Sequence, residues 1–391
     1  MERLKFSKRM ERFGQGIFAS LLAEKRRLLQ AGREVVDLSV GTPNIPPAQH
    51  VIDALCAAAA DPHSYVYAIQ DTDELKEAVA AWYRRRYGVI LDPQREVASL
   101  LGSQEGLSHI AFSIVDEGDV VLVPDPCYPI FGDGPALAGA RLAYMPQRRE
   151  NGYLIDFDEI PEDIARAARL MVVSYPNNPT TAVAPPAFYE ALIAFAQRND
   201  ILVLHDNAYS ELTFNGQRCG SFLAYPGAKE VGVEFNSLSK TYGMAGARVG
   251  FCVGNAQVVE KLVQLKSNID YGMFLPVQQA AIAAITGDQS CVEQTRRAYE
   301  RRAQLLADGL NRVGWEVEMP RATMFLWAPL PAGYSDSRDF CLKLLNRCGV
   351  LVTPGAAFGP SGEGYVRMAL VQEEEAIRQA VEAIAQSGIL G

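Results

Sequence analysis

The 391-residue sequence predicts an α/β fold, with a large domain on a mostly parallel β-sheet and a smaller α+β domain near the C-terminus. Continuous apolar runs such as VVLV (120–123) and LMVV (170–173) are typical of strands buried on both faces of a parallel sheet. Helical segments such as AFYEALIAFAQRND alternate with these runs. We therefore expect repeated βα units joined by right-handed crossovers.

The sequence of the first quarter of the chain indicates an arm, a strand and two helices. Residues 1–34 form the arm, whose helix ends at Gly32. The strand VVDLSV follows, and Gly41 after it either permits a ligand to approach the backbone closely or forms a plain turn. A helix, HVIDALCAAAA, comes next, and Asp71-Thr72 with Glu74 resembles the N-terminal cap of a further helix.

The middle of the chain predicts the large sheet. EVASLLGSQEGLSHIAFSIV reads as strand, tight turn and helix, with Gly102 and Ser103 where the helix begins. The N–H groups and the dipole of a helix start favour a phosphate there. Further strands are predicted in these segments: DVVLVPDP, RLAYMPQ, RLMVVSY, ILVLHD and EVGVEFNS.

The C-terminal part changes character. Residues 252–310 predict mostly helix, interrupted by SNIDYGMFLP. Beyond them, a smaller unit is expected from three strands, two helices and a glycine- and proline-rich turn. The segments are WEVEMP, TMFLWAPL and YVRMAL for the strands, FCLKLLNRCG and EEEAIRQAVEAIAQ for the helices, and TPGAAFGPSGEG for the turn.

Composition excludes several classes of function. The net charge of −9 argues against nucleic acid as a main partner. Seven dispersed cysteines without a C-x-x-C pair are typical of reduced thiols in a cytoplasmic enzyme. The charged N-terminus lacks the apolar core of a signal peptide, and no apolar run approaches the roughly 18 residues that span a bilayer. Four histidines without an H-E-x-x-H motif argue against a histidine-based metal site.

Polar side chains follow most strands of the predicted sheet. Because ligands of open α/β sheets bind at the carboxyl ends of the strands, we expect these side chains to share one site. They are Ser103, Tyr128, Asn178, Asp206, Tyr209 and Lys240.

The stretch from Glu234 to Phe251, EFNSLSKTYGMAGARVGF, is the most informative in the chain. Arg248 and the hydroxyls of Ser237 and Ser239 can bind a phosphate. The amine of Lys240 can form a Schiff base with a carbonyl group. Taken alone, the stretch could equally be a surface loop with a solvated lysine.

Together these residues suit a pyridoxal-phosphate site. The cofactor needs a lysine for the Schiff base, an acid beside its ring nitrogen and donors for its phenolic oxygen. Lys240 is the candidate lysine and Asp206 the candidate acid. Tyr209 and Asn178 can donate to the phenolic oxygen.

The remaining candidates hold the phosphate, the ring and the substrate. Ser103, Ser237 and Arg248 can bind the phosphate, and Tyr128 can stack on the ring. Arg367, in the otherwise apolar run YVRMAL, needs an anionic partner, and a substrate carboxylate is one.

Each candidate also has a structural interpretation. Asp206 could cap a loop, Asn178 could be a turn residue, and Arg367 could belong to an ion pair. His205 could suggest a metal site, but neighbouring strand residues point to opposite faces, which argues against His205 and Asp206 as ligands of one metal ion.

The motifs VGTPNIP, LLGSQEGL, PDPCYPIF, SYPNNPT, HDNAYSEL, SLSKTYGMAGARVGF and GPSGEGYVRMAL occur in the order found in one family. The chain resembles a fold type I pyridoxal-phosphate enzyme of the class I/II aminotransferases, most closely the bacterial branch with LL-diaminopimelate aminotransferases and broad-specificity relatives. The resemblance implies that residues 1–45 form an arm and part of the small domain, that a three-layer α/β/α cofactor-binding domain spans 46–284, and that the small domain continues at 285–391. It also implies a homodimer with shared active sites.

The resemblance also implies specific contacts for four residues. It implies that Gln104 and Ser239 contact the cofactor, that Gly41 contacts the substrate together with Asn178, and that Tyr67 reaches the phosphate of the neighbouring subunit. Two positions depart from the family, which usually has glycine at Asp71 and at Thr181. We expect Thr181 to alter a turn and not the chemistry.

The implied function is transfer of an α-amino group to a 2-oxoacid, either 2-oxoglutarate or pyruvate, by a ping-pong mechanism. Lys240 and Asp206 with Tyr209 are the expected catalytic residues, and the lysine is the general base. A β-eliminating C–S lyase would use the same lysine, and a cofactor-binding regulator is a third class. No lysine or arginine lies between Ser267 and Thr295, where the family reads the substrate side chain, which disfavours a dedicated aspartate enzyme.

Overall fold

The structure is a computed structural model that describes residues 4–13 and 17–391. Over these ranges it contains fourteen α-helices and twelve β-strands. The helices are α1 Ile17–Gln30, α2 Gln49–Ala59, α3 Asp73–Tyr87, α4 Ser103–His109, α5 Ile130–Leu137, α6 Glu162–Ala167, α7 Pro186–Asn199, α8 Ala228–Val231, α9 Leu238–Thr241, α10 Ala256–Lys266, α11 Leu275–Thr286, α12 Ser290–Arg312, α13 Ser337–Cys348 and α14 Glu374–Gln386. The strands are β1 Val36–Asp37, β2 Val97–Leu100, β3 Val120–Asp125, β4 Arg141–Pro146, β5 Ala168–Ser174, β6 Leu202–Asp206, β7 Gly232–Ser237, β8 Gly250–Gly254, β9 Phe325–Pro329, β10 Val350–Leu351, β11 Thr353–Pro354 and β12 Tyr365–Ala369.

The chain divides into two compact units. The larger unit comprises residues 42–301 and 320–324, and the smaller comprises the described residues up to Gly41 with 302–319 and 325–391. Residues 285–301, expected in the small domain, lie in the larger unit. Arg296 Nη1 donates to Thr213 O at 3.3 Å, and Glu300 Oε1 accepts from Asn215 N at 2.6 Å, so the start of α12 is bound to that unit.

A seven-stranded sheet organises the larger unit, in the order β2-β8-β7-β6-β5-β3-β4. The pairs among β3, β4, β5, β6 and β7 are parallel, as the apolar runs predict. Strand β8 is antiparallel to both of its neighbours, β2 and β7. The sequence does not predict β8 as a strand, because its five residues, GFCVG, include glycines at both ends.

Both faces of this sheet are covered by apolar side chains. Val120 and Leu122 of β3 lie in one buried cluster, together with residues of α2, α3, α7 and α11. Val121 and Val123 lie in a second cluster, which includes residues of α4, α5 and α10. Since successive strand residues point to opposite faces, the unit is the predicted three-layer α/β/α arrangement.

The smaller unit contains a three-stranded antiparallel sheet in the order β11-β12-β9 and a parallel pair of β1 with β10. The predictions of strands in TMFLWAPL and YVRMAL correspond to β9 and β12. The prediction of a strand in WEVEMP is wrong. That segment is held by a side chain instead of a neighbouring strand, because Asn311 Nδ2 donates to Val317 O and its Oδ1 accepts from Val317 N.

Among the described residues, no helix combines the length and the apolar character that crossing a bilayer requires.

Candidate active site

The strand ends of the larger unit bring the candidate residues to one edge of the sheet. Asp206 at the end of β6 pairs with Ser174 of β5 and with Phe235 of β7. Gly250, the first residue of β8, pairs with Ser237 of β7 and with Leu100 of β2. The segments that follow β2, β5, β6 and β7, and the segment that precedes β8, therefore start from the same edge.

A tight turn after β2 contacts Arg248. Gly102 has a φ of +82°, which side chains rarely adopt, and a Cβ there would lie 2.7 Å from Arg248 Cζ. A Cβ on Gly250 would lie 2.6 Å from the backbone nitrogen of Ser103. The guanidinium and the backbone N–H groups of the turn are thus packed together, which suits an anion such as a phosphate.

The lysine follows the end of β7. Ser237 caps the short helix α9, since its Oγ accepts a hydrogen bond from Ser239 N at 3.2 Å. Ser237 and Ser239 are buried, and Lys240 is half-buried. Ser237 ends β7, and Ser239 and Lys240 follow it directly in α9. The two hydroxyls and the amine are therefore carried by backbone at the same edge of the sheet as Arg248, which precedes β8.

Asp206 is buried, with 6% of its surface exposed, and its Oδ1 accepts one hydrogen bond, from Ala208 N at 3.2 Å. Burial raises the pKa of this carboxyl to about 6, although the hydrogen bond from Ala208 N and, more weakly, the charge of Lys240 oppose the rise. A buried carboxylate is costly without a cation beside it. The site thus suits a ligand with a phosphate at one end and a protonated nitrogen at the other.

Two further strand ends contribute polar groups. Tyr128, after β3, donates its hydroxyl to Gln104 Oε1 at 2.8 Å and so links this strand end to the turn after β2. Asn178 and Tyr209 are both buried, after β5 and β6 respectively. Asn177 has a structural role, because its Oδ1 accepts from Thr180 N at 3.1 Å and shapes the turn that carries Asn178.

Thr181 ends that turn with an unusual backbone. Its φ is +62°, a left-handed conformation that is uncommon for any residue other than glycine and rarer still for a β-branched one. Its N–H donates to Asn177 O at 3.0 Å. Thr181 therefore holds, with a β-branched side chain, a backbone conformation that favours glycine.

Two of the candidates belong to the smaller unit. The guanidinium of Arg367 lies over two rings, 4.1 Å from the centroid of Phe325 and 4.6 Å from that of Phe358. Its Nη2 donates to the carbonyl oxygen of Ser39 at 3.0 Å, two residues before Gly41. Within this unit, Arg367 and the segment that carries Gly41 are therefore neighbours.

Tyr67 lies on an exposed aromatic surface. It is 83% exposed, and its ring centroid is 5.9 Å from that of Tyr271. The segment that follows Tyr67 is fastened to β2 by Asp71, whose carboxylate accepts hydrogen bonds from the hydroxyl of Ser99 and from Ser99 N, the latter at 2.7 Å. A glycine could not make this link, so Asp71 gives the loop of Tyr67 an anchor of its own.

The structure contains a cluster of charged residues near the turn that the sequence does not predict. Lys266, the last residue of α10, contacts the carboxylates of Glu105 and Asp270 at 2.8 and 3.2 Å, and His109 Nδ1 lies 2.8 Å from Glu105. The spacing of four residues within each of the pairs 105/109 and 266/270 is the one signal that the sequence offers.

His205, next to Asp206, belongs to a different network. It is buried, and its Nδ1 lies 3.1 Å from Glu234 Oε2. The same carboxylate accepts from Tyr83 Oη at 3.0 Å and from Phe222 N at 2.8 Å. These contacts give His205 a structural role inside the larger unit.

Comparison with known proteins identifies the relatives of the chain. A sequence model described as aminotransferase class I and II matches residues 33–384. An LL-diaminopimelate aminotransferase of Syntrophobacter fumaroxidans is 48% identical over 94% of both chains, and one of Dehalococcoides mccartyi is 43% identical over 98% of both. Among solved structures, substrate-bound BacF of Bacillus subtilis is 36% identical, with a TM-score of 0.94 and 98% coverage of both chains. A probable N-succinyldiaminopimelate aminotransferase of Thermus thermophilus is 36% identical, with a TM-score of 0.90, covering 95% of this chain and all of that one.

Proposed function

The chain belongs to the class I and II aminotransferases and is a pyridoxal-phosphate-dependent transaminase, and we propose that its amino donor is LL-diaminopimelate. The acceptor in this proposal is a 2-oxoacid, 2-oxoglutarate or pyruvate. The observation that carries the proposal is the agreement among relatives named LL-diaminopimelate aminotransferase, which are 48%, 46% and 43% identical over nearly their whole length.

The residues at the sheet edge fit the cofactor. Arg248, Ser237 and the backbone N–H groups of the turn after Gly102 would hold the phosphate, and the turn accepts no Cβ without displacing Arg248. Ser103, Gln104 and Ser239 lie in the same two segments, so we assign them to the phosphate end as well. Tyr128, after β3, would stack on the ring.

Asp206 would face the ring nitrogen. The cofactor, when bound, delocalises the electron pair that is left when the substrate's α-carbon loses a proton. Asp206 keeps the nitrogen protonated, and in return the positive charge removes the cost of the buried carboxylate. Asn178 and Tyr209 would donate to the phenolic oxygen.

Lys240 would hold the cofactor covalently between turnovers and move the proton during them. When the substrate displaces it, its amine is free to take the proton from the α-carbon as a general base. Arg367 would bind the substrate's α-carboxylate with two parallel hydrogen bonds, since Phe325 and Phe358 hold the guanidinium plane. Gly41 would let the substrate approach the backbone of its segment.

The substrate's far end would meet the segment around Tyr271. From Ser267 to Thr295 the chain has no lysine or arginine, and Asp270 is paired with Lys266. A side chain that ends in one carboxylate would find no cation there. Diaminopimelate ends in both an ammonium and a carboxylate, so its far end carries no net charge and is compatible with this segment.

We further propose that two copies of the chain form a homodimer in which Tyr67 of each reaches the phosphate of the other. The supporting feature is an exposed apolar surface made by two loops that pack on each other: Tyr65, Val66, Tyr67 and Ile69 with Ile269, Tyr271 and Phe274. Exposed patches of this kind mark interaction sites. We also expect the enzyme in the cytoplasm, where its seven cysteines would stay reduced.

The experiment is a single half-reaction, followed by absorbance. The cofactor-loaded protein is mixed with LL-diaminopimelate, aspartate, phenylalanine, alanine or cysteine, without any oxoacid. Conversion to pyridoxamine phosphate with one oxoacid per site, fastest for LL-diaminopimelate, supports the proposal. Faster conversion with another amino acid would contradict the proposal that LL-diaminopimelate is the amino donor. Continuous release of ammonia and pyruvate from cysteine-type substrates would establish the lyase instead.

A lysine variant is the matched control. Lys240→Ala should lose turnover with every substrate and keep part of its affinity for the cofactor. Near-normal transamination by this variant would show that Lys240 is not the catalytic lysine.

A further inference from the structure

Lys266 has no part in the proposed mechanism, yet it is a buried cation near the turn that would hold the phosphate. Only 6% of its surface is exposed. Its ammonium lies 2.8 Å from Glu105 Oε2 and 3.2 and 3.3 Å from the two oxygens of Asp270. Burying an ammonium is costly unless carboxylates surround it in this way, so these three groups form one electrostatic unit.

Glu105 connects this unit to the turn. Its Oε2 also accepts a hydrogen bond from Leu101 N at 3.1 Å, and its Oε1 lies 2.8 Å from His109 Nδ1. Leu101 immediately precedes Gly102, so the carboxylate holds the backbone from which the phosphate-binding N–H groups project. The same carboxylate is also a negative charge two residues from Ser103, where it would repel a phosphate.

We infer that Lys266 is a positioning residue for the anion-binding turn: it holds the Glu105 carboxylate on Leu101 N and neutralises the charge of that carboxylate. The inference rests on the proposed function, because it takes the turn after Gly102 as the phosphate site. Without the ammonium, Glu105 and Asp270 would face each other as two unneutralised carboxylates, since their oxygens and His109 lie within 4.8 Å of one another. The turn would then lose both its support and its charge balance.

Three single variants test the inference. Lys266→Met removes the charge and keeps most of the volume, and Lys266→Arg keeps the charge. Lys261→Met makes the same change on the same helix, at an exposed lysine that contacts Gln264. Each cofactor-free protein is titrated with pyridoxal phosphate, with inorganic phosphate by competition, and with pyridoxal, which lacks the phosphate.

Lys266→Met should weaken binding of both phosphate compounds by about tenfold or more and leave the affinity for pyridoxal within about twofold. Lys266→Arg should stay within about threefold of the wild type, and Lys261→Met should be unchanged. If Lys266→Met lost affinity equally for pyridoxal and for pyridoxal phosphate, Lys266 would have a general structural role and the inference would be overturned. Wild-type affinity for pyridoxal phosphate in Lys266→Met would also overturn it.

A double variant tests the charge balance, and it also serves if Lys266→Met alone does not fold. Glu105→Gln with Lys266→Met removes both charges, while the amide oxygen can still accept from Leu101 N. It should bind inorganic phosphate within about threefold of the wild type. A loss of about tenfold or more in the double variant would overturn the inference. If the wild-type protein bound no pyridoxal phosphate at all, the proposed function would fail instead.

Discussion

Arg248 lies directly against the backbone of Gly102, with its Cζ 2.7 Å from the position that a Cβ on this glycine would take. Gly102 follows β2 and Arg248 precedes β8, and these antiparallel strands are paired there through Leu100 and Gly250. The guanidinium can therefore reach the turn only because residue 102 has no side chain.

The first prediction concerns this contact. Gly102→Ala should weaken pyridoxal-phosphate binding by about tenfold or more, because the new methyl group displaces the guanidinium from the turn. Gly118→Ala is the control, since Gly118 has a similar φ of +92° but open space around it. Both variants should also lose about 1–3 kcal/mol of stability from the backbone strain. Equal affinity for the cofactor in the two variants would contradict the role of the Arg248 contact.

The second prediction concerns pH. In the cofactor-free protein, burial raises the pKa of Asp206 to about 6 from an ordinary 3.8. Between these values the folded state binds more protons than the unfolded state, so this carboxyl lowers the free energy of unfolding as the pH rises. The loss is complete above about pH 6 and amounts to about 3 kcal/mol.

Asp206→Asn should remove this loss. By urea denaturation, the cofactor-free variant should match the wild type near about pH 4 and exceed its stability by about 3 kcal/mol near about pH 8. With pyridoxal phosphate bound the order should reverse, because the carboxylate then faces a positive charge. A stability difference that does not change with pH would show that Asp206 keeps an ordinary pKa.

The third prediction concerns the turn at Thr181. Its φ of +62° strains a β-branched residue, so Thr181→Gly should release about 1–2 kcal/mol of strain and lose somewhat less to chain entropy. The expected net effect is a stabilisation of up to about 1 kcal/mol.

Thr180→Gly is the matched control. Thr180 Oγ1 donates to Asn177 Oδ1 at 2.8 Å, and losing this bond should cost about 1–3 kcal/mol. In thermal unfolding, Thr181→Gly should therefore raise the melting temperature, and Thr180→Gly should lower it. A destabilisation of similar size in both would mean that the left-handed backbone is not strained.

The fourth prediction concerns Arg367. Arg367→Lys should raise KM for amino acid and oxoacid by about tenfold or more, because an ammonium cannot form the bidentate pair or stack between Phe325 and Phe358. Arg302→Lys changes another buried arginine of the smaller unit, which donates to Leu370 O and pairs with Glu373. It should lower stability and leave KM unchanged. Unaltered KM in Arg367→Lys would remove this residue from the substrate site.

The sequence predicts the large sheet well because most of its strands are buried on both faces. Such strands appear as continuous apolar runs, as in β3 and β5, and parallel pairing brings their carboxyl ends to one edge. The convergence of Asp206 with the turn after Ser237 could therefore be predicted without coordinates. The roles of these residues toward the cofactor remain predictions.

The features that the sequence does not predict depend on contacts with other parts of the chain. WEVEMP has the apolar alternation of a strand, but Asn311 takes both backbone groups of Val317. Strand β8 becomes a strand because it fills the gap between β2 and β7. Lys266 and Glu105 are 161 residues apart, and no local pattern indicates such an ion pair.

The order of the strands has a consequence for how the protein is made. In the described sheet β2 has a single neighbour, β8, although most of the larger unit lies between them in the chain. A chain emerging from the ribosome holds the Gly102 turn long before Arg248 has been synthesised. Until β8 inserts, the emerging protein has one half of the proposed phosphate site, and β2, the strand that carries this half, has no partner. With Arg248 and the Gly102 turn assigned to the phosphate in our proposal, we expect the cofactor to bind only after the whole sheet has been synthesised.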